Sequence, residues 1–294
     1  MKRELNSETN IIKDLECMSE KKIHIVLAMD EPYWHKAKEY GLFDSIEKNT
    51  KETPNIYIKC LCFGFNVPES DNHFNNENWD WARCEIGELK SFRTGFPSGK
   101  NKTRNFFICA EGGEFLDYFE FDPSDVIVHI DADTTMQRPF TEYEINLLRE
   151  FKDGEVGSSY HAIPVITLEQ EIKSLKIKEP ERNILKHFPR HWNRPIFCTG
   201  LIVATAKTYR DTIYNQYLSR IDKMVMLFDH HAGGQWLMSY IVYEYATFFD
   251  LGRVFAHADW FIGSDRSDVI DNKFCYKGQV VLFNHHKFNK VWDF

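Results

Sequence analysis

The sequence predicts an α/β fold: a mostly parallel central sheet with helices on both faces. Three observations carry this. Near-continuous apolar runs at 23–29, 56–63 and 126–130 read as strands buried on both faces, the pattern of parallel strands lying between helices. The runs alternate with longer segments of helical patterning, and that alternation marks a layered α/β architecture. Two of the runs end in carboxylates, Asp30 after the first and Asp131-Ala132-Asp133 after the third. Open α/β sheets bind their ligands beyond the carboxyl ends of such strands.

The elements follow in order. Residues 1–20 are polar and read as a helical tail, and 21–294 as a single domain. The first strand ends in Asp30-Glu31-Pro32-Tyr33, and proline suits the first turn of a helix, so a helix is expected over 33–49. After the strand at 56–63, the span 66–103 is rich in Asn, Asp, Ser, Gly and Pro. It predicts long loops around one short element near 82–92, and loops of that length usually serve function. A helix interrupted by Gly112-Gly113 is expected over 103–119, then the strand that leads to Asp131. Helices are expected at 142–152, at 167–187 with a break at Pro180, at 206–226 and at 232–246. Further strands are expected in 156–166, at 196–204, and at 279–283, the last running into Asn284-His285-His286. No internal repeat is present.

Composition narrows the function. The chain has 294 residues, with 36 Lys and Arg against 44 Asp and Glu, for a net charge of −8. Its 43% hydrophobic and 15% aromatic content excludes disorder and collagen-like repeats. The acidic balance argues against a protein that coats nucleic acid. Seven cysteines, an odd number with no CxxC pair, point to reduced thiols rather than a disulfide framework or a thiolate zinc site. Cys60 and Cys62 would share one face of a strand. No stretch reaches the roughly 18–20 apolar residues of a membrane span, and the polar start has no apolar signal core. A cytoplasmic protein without a membrane anchor is the expectation.

Asp131 and Asp133 carry the chemistry. Two carboxylates two residues apart, where a buried strand enters a turn, can converge on one cation. Their hard oxygens suit Mg²⁺ or Mn²⁺. The alternative is a pair of solvated turn aspartates, but the apolar run before them and Pro139 after them favour a site.

The segment VIVHIDADTTMQRPF resembles the DxD region of nucleotide-sugar glycosyltransferases of the GT-A fold, a Rossmann-like nucleotide-binding arrangement. IHIVLAMDEPY is similar to the first strand and turn of the glycogenin-like and galactosyltransferase-like branch, and VVLFNHHKFNKVW resembles its closing segment. The resemblance spans roughly 22–292 and is dense around 23–33, 125–140, 197–203 and 280–292. It implies that Asp131, Asp133 and a C-terminal histidine hold a divalent ion bridging the donor diphosphate. His285 is favoured over His286, but an alignment on Lys290 puts Asn284 at that place, so the choice stays open. Val291 stands where the branch has proline. Donor contacts are implied at Met29, Asp30, Tyr33, Arg104, Ala132, Thr199, Gly200 and Lys290. Asp229 would be the carboxylate base and Gln235 would lie near the donor sugar. The retaining branch pairs an Asp with that Gln, but here Gly234 takes its place, so retention and inversion both stay open. The implied partners are a nucleotide sugar, most simply UDP-linked, and a glycan or protein-glycan acceptor. His161, Trp192 and Trp260 are aromatic candidates for the sugar side, with packing as the simpler role for each.

Two rival readings exist. Asp229-His230-His231 is also the signature of DHH-type metal-dependent phosphoesterases. Those place the triplet at the end of a buried strand and a histidine four residues before an upstream Asp, whereas His129 lies two before Asp131. A non-catalytic nucleotide-sugar-binding protein would keep the fold without needing an intact DxD.

Overall fold

The computed structural model describes residues 21–92, 109–160, 165–174, 188, 190–224, 233–258 and 267–285. A seven-stranded sheet runs through it, built from β1 (Ile23–Asp30), β2 (Ile56–Phe63), β3 (Trp79–Cys84), β4 (Val126–Ile130), β6 (Glu155–Ser158), β7 (Leu201–Thr205) and β8 (Thr247–Asp250). The order is β3-β2-β1-β4-β7-β6-β8. Strands β3, β2, β1 and β4 are mutually parallel, β7 is antiparallel to both its neighbours, and β6 pairs parallel with β8. The mostly parallel sheet expected from the apolar runs is therefore present, with one reversed strand.

The runs are continuous because each strand feeds two cores. Along β1, Val26 and Ala28 face one core, while Ile23, Ile25, Leu27 and Met29 face the other. Strand β7 divides the same way, Ile202 and Ala204 against Leu201 and Val203, as the two-residue strand period requires. Cys60 and Cys62 lie on one face of β2, their sulfurs 3.9 Å apart. Helices α1 (Glu31–Glu39), α2 (Leu42–Thr50) and α3 (Glu142–Arg149) cover one side, where Trp34 packs on Phe43 with ring centroids 4.6 Å apart. Helix α4 (Leu168–Ser174), the long helix α5 over 206–224 and α6 (Gly233–Tyr245) cover the other.

Several predicted elements change shape. The single helix expected over 33–49 is two, because Gly41 adopts a left-handed φ of 70° between them. Near 82–92 the chain forms β3 and a short 3-10 turn, Ile86–Glu88. The strand expected from 196 begins at Leu201. The last strand expected at 279–283 is two, β12 (Gln279–Val280) and β13 (Phe283–His285). Strand β5 (Thr134–Met136) and the strands β8, β9 (Ala256–Ala258), β10 (Ser267–Ile270) and β11 (Lys273–Tyr276) were not anticipated.

A second, three-stranded sheet of order β5-β13-β9 places the C-terminal segment against the DxD turn. Strand β13 runs antiparallel to β5, with His285 opposite Thr134 and Phe283 opposite Met136. Past β5, Gln137 N–H donates to Leu282 O at 2.8 Å and Arg138 Nε donates to Val280 O at 2.9 Å. Arg138 also grips Glu144 with both terminal nitrogens, at 2.7 and 2.6 Å, and Glu144 completes a capping box with Thr141 at the start of α3.

Burial alone would raise the Glu144 carboxyl, but the Arg138 and Thr141 hydrogen bonds outweigh it and hold the group below its ordinary 4.5. A carboxylate depressed in the folded state stabilises above its unfolded pKa, and that contribution is lost as pH falls through the folded value. Glu144→Gln is therefore expected to cost about 2 kcal/mol at neutral pH. The gap from wild type in urea melts should close as pH drops below 4.5; a gap that is flat with pH would contradict the assignment.

Candidate metal and donor site

The site is built where β1 and β4, parallel neighbours, leave the sheet at the same edge. After Ile130 the chain turns tightly: Asp131 N–H donates to Gly200 O at 3.2 Å, and Thr134 N–H donates to Asp131 O at 3.1 Å. Ala132 is buried at 1% exposure, while Asp131 and Asp133 on either side are only partly covered. The alanine thus anchors the turn between two partly covered carboxylates. The β5–β13 register then brings in His285. Its Nε2 lies 2.8 Å from Asp133 Oδ1 and 3.3 Å from Asp131 Oδ2. One donor atom from each of the three residues lies within 4.8 Å of the others. His285 stands with the carboxylates, and His286 lies outside the described residues.

The donor set fits a hard or borderline divalent cation: two carboxylates and one imidazole. Asp131 Oδ1 adds a specific sign, since it is buried and has no hydrogen-bond partner among the described residues. A buried oxygen of that kind is costly unless something satisfies it. Burial raises the Asp131 carboxyl to about 7, His285 opposes the rise, and Asp133 and Cys198 add to it. For His285, burial works against the charged ring, but the Asp133 charge and hydrogen bond prevail and hold its pKa well above the usual histidine value.

Gly200 lets these groups meet. A Cβ there would lie 2.8 Å from His285 Cε1 and Nδ1 and 2.9 Å from Asp131 Oδ2. Its neighbour Thr199 is buried, and the Thr199 N–H points to Gln235 Oε1 at 3.5 Å. Gln235, near the start of α6, therefore holds the turn that carries Gly200. The side chain of Asp30 caps α1, accepting from Tyr33 N–H at 3.1 Å. Tyr33 is half-buried, and burial raises its phenol, as do the fields of Asp133, Asp30 and Asp131. Met29 is fully buried in the core beneath them.

Other predicted residues fall elsewhere. Arg104, Asp229, Lys290, His161, Trp260 and the triplet 229–231 lie outside the described residues. Trp192 packs on Trp236, with ring centroids 6.0 Å apart, in the core on the α6 side. His129 is a buried core histidine stacked on Phe115, and burial drives its pKa down to about 4. One contact carried no sequence signal beyond its place beside Thr199-Gly200: Cys198 Sγ lies 3.7 Å from His285 Nδ1.

No protein-family model matches the chain, and no curated protein does. Among solved structures it is similar to the apo crystal structure of mouse xyloside xylosyltransferase 1. The TM-score is 0.52 at 14% identity, over 90% of this chain and 97% of that one. A likeness at that identity is one of fold. The fold, shared with a glycosyltransferase, is the Rossmann-like GT-A arrangement that the sequence predicts.

Proposed function

We propose that this chain is a metal-dependent glycosyltransferase. It would move a hexose or pentose from a nucleotide sugar, UDP-linked, to a glycan or protein-glycan acceptor, using one domain over 21–294. The observation that carries the reading is the Asp131, Asp133 and His285 cluster at the carboxyl edge of a GT-A sheet, in which one buried Asp131 oxygen has no hydrogen-bond partner among the described residues. In this reading those three residues hold Mn²⁺ or Mg²⁺, which when bound offsets the charge developing on the departing diphosphate. Tyr33 presents an aromatic face for the base, and Asp30 fixes the turn that carries it. Met29, Ala132, Thr199 and Gly200 shape the floor under the donor, while Arg104 and Lys290 supply positive charge to its phosphates. Gln235 holds the Thr199 turn beside the sugar. Asp229 takes the proton of the acceptor hydroxyl as general base. A cytosolic place of action belongs to the same proposal. It is supported by the six described cysteines, none of which is in a disulfide. Among the described residues no helix is long and apolar enough to cross a membrane.

A thermal-shift screen of nucleotide sugars with and without Mn²⁺ tests the donor: stabilisation by UDP-sugars only in the presence of metal is expected. Phosphate release from oligonucleotides without such stabilisation would favour the phosphoesterase instead. The two histidines separate cleanly. His285→Asn should weaken Mn²⁺ binding about tenfold or more, since it removes a ligand rather than an outer partner, and His286→Asn should leave it unchanged. Equal affinities for both variants and wild type would remove the histidine from the site.

A further inference from the structure

We propose that Cys198 is a positioning residue for His285: its sulfur accepts the Nδ1–H of the imidazole and holds Nε2 toward Asp131 and Asp133. The inference rests on the metal-dependent reading above and deepens it. The geometry is two-sided. On one edge of the ring Nε2 lies 2.8 Å from Asp133 Oδ1, and on the other Nδ1 lies 3.7 Å from Cys198 Sγ, within reach of a hydrogen bond to sulfur. A neutral imidazole that offers its Nε2 lone pair must carry its proton on Nδ1. Metal-bound histidines regularly give that second proton to an outer partner, which fixes both tautomer and ring orientation. Here the thiol stands in that place.

The thiol is itself held. Cys198 N–H donates to Ser159 O at 2.8 Å, and Cys198 O accepts from Ser158 Oγ at 2.7 Å, where Ser158 ends β6 and is fully buried. The main sheet thus fixes Cys198, and Cys198 orients a ring that arrives on the separate β5-β13-β9 sheet. Of the six described cysteines it alone is not buried; the other five are core residues. Sulfur also suits the charge balance. A carboxylate, the commoner outer partner, would put a third negative group beside Asp131 and Asp133, whereas a thiol accepts the hydrogen bond without adding charge.

The test compares wild type, Cys198→Ala and Asp131→Asn. Mn²⁺ affinity is read from the electron-spin resonance of free Mn²⁺. The His285 tautomer is read from ¹⁵N-labelled imidazole spectra of the protein loaded with diamagnetic Mg²⁺, with the signal assigned through His285→Asn. Wild type should bind Mn²⁺, and Asp131→Asn should not. Cys198→Ala should bind about tenfold more weakly and show loss of the pure Nδ1–H tautomer. If Cys198→Ala binds as wild type does, or keeps the same tautomer, the positioning role is overturned while the metal site stands. If wild type does not bind Mn²⁺, the metal reading falls and this inference with it.

Discussion

Asp131→Asn is expected to leave a folded protein that no longer binds Mn²⁺ and that loses about 10²–10³-fold in metal-dependent turnover of a nucleotide sugar, the range for removing one preorganised electrostatic group. The argument starts from burial. The Asp131 carboxyl is pushed up to about 7, chiefly by burial, and one of its oxygens has no partner among the described residues. A carboxylate held in that way gains little for the fold, because its desolvation is not repaid by a full set of hydrogen bonds. Replacing it with a neutral amide of the same shape should therefore not lower the melting temperature, and the loss should fall on cation binding alone. Calorimetric titration with Mn²⁺, a thermal melt and a UDP-sugar hydrolysis assay together check this. Binding and turnover equal to wild type would mean that the cluster is not a metal site, and would favour a non-catalytic role for the fold. A large fall in melting temperature would instead mean that Asp131 is structural.

The sheet was legible because its strands are covered on both faces. In β1 and β4 every residue is buried, so the apolar run is broken only by His24 and His129 and needs no periodicity to be seen. The carboxylates were legible for the complementary reason: Asp131 and Asp133 interrupt that run where the strand ends. Strand β8 is different. It is short and mostly exposed, and its residues Thr247, Phe249 and Asp250 give neither an apolar run nor a clear alternation. The break at Gly41 was hidden because Leu42, Phe43 and Ile46 continue a helical spacing beyond it, and only the left-handed φ divides the two helices. The place of His285 depended on a register. Pairing of β13 with β5 sets His285 opposite Thr134, and a slip of one residue would turn its side chain to the other face. Such a register is fixed by contacts far apart in the chain, among them Arg138 to Val280 and Gln137 to Leu282, which no local pattern announces. The contact of Cys198 with His285 arises in the same way.

Gly200→Ala is expected to damage both stability and metal binding, and this double effect separates it from Asp131→Asn. The added methyl would sit 2.8 Å from two atoms of the His285 ring and 2.9 Å from Asp131 Oδ2. None of these can withdraw freely. The ring is held by Asp133 on one edge and lies against Cys198 on the other, and its backbone is paired on both sides, to β5 and to β9. Asp131 is tied to the same turn through its N–H on Gly200 O. Relief must come from a shift of the turn or of the ring, and either spreads the three donor groups. Overpacking of this kind costs about 1–3 kcal/mol, to be read from urea unfolding, and Mn²⁺ affinity should fall at least about tenfold, which is about 1.4 kcal/mol. Gly87→Ala is the control, since a Cβ there meets nothing within 4 Å. The origin of the loss can be isolated by a double-mutant cycle. In a His285→Ala background the ring is gone, so adding Gly200→Ala should cost clearly less stability than it does in wild type, while Mn²⁺ binding stays weak in both. If the stability cost is the same in the two backgrounds, the methyl is not meeting the ring, and the close approach of Gly200, Asp131 and His285 is not what requires glycine at that position.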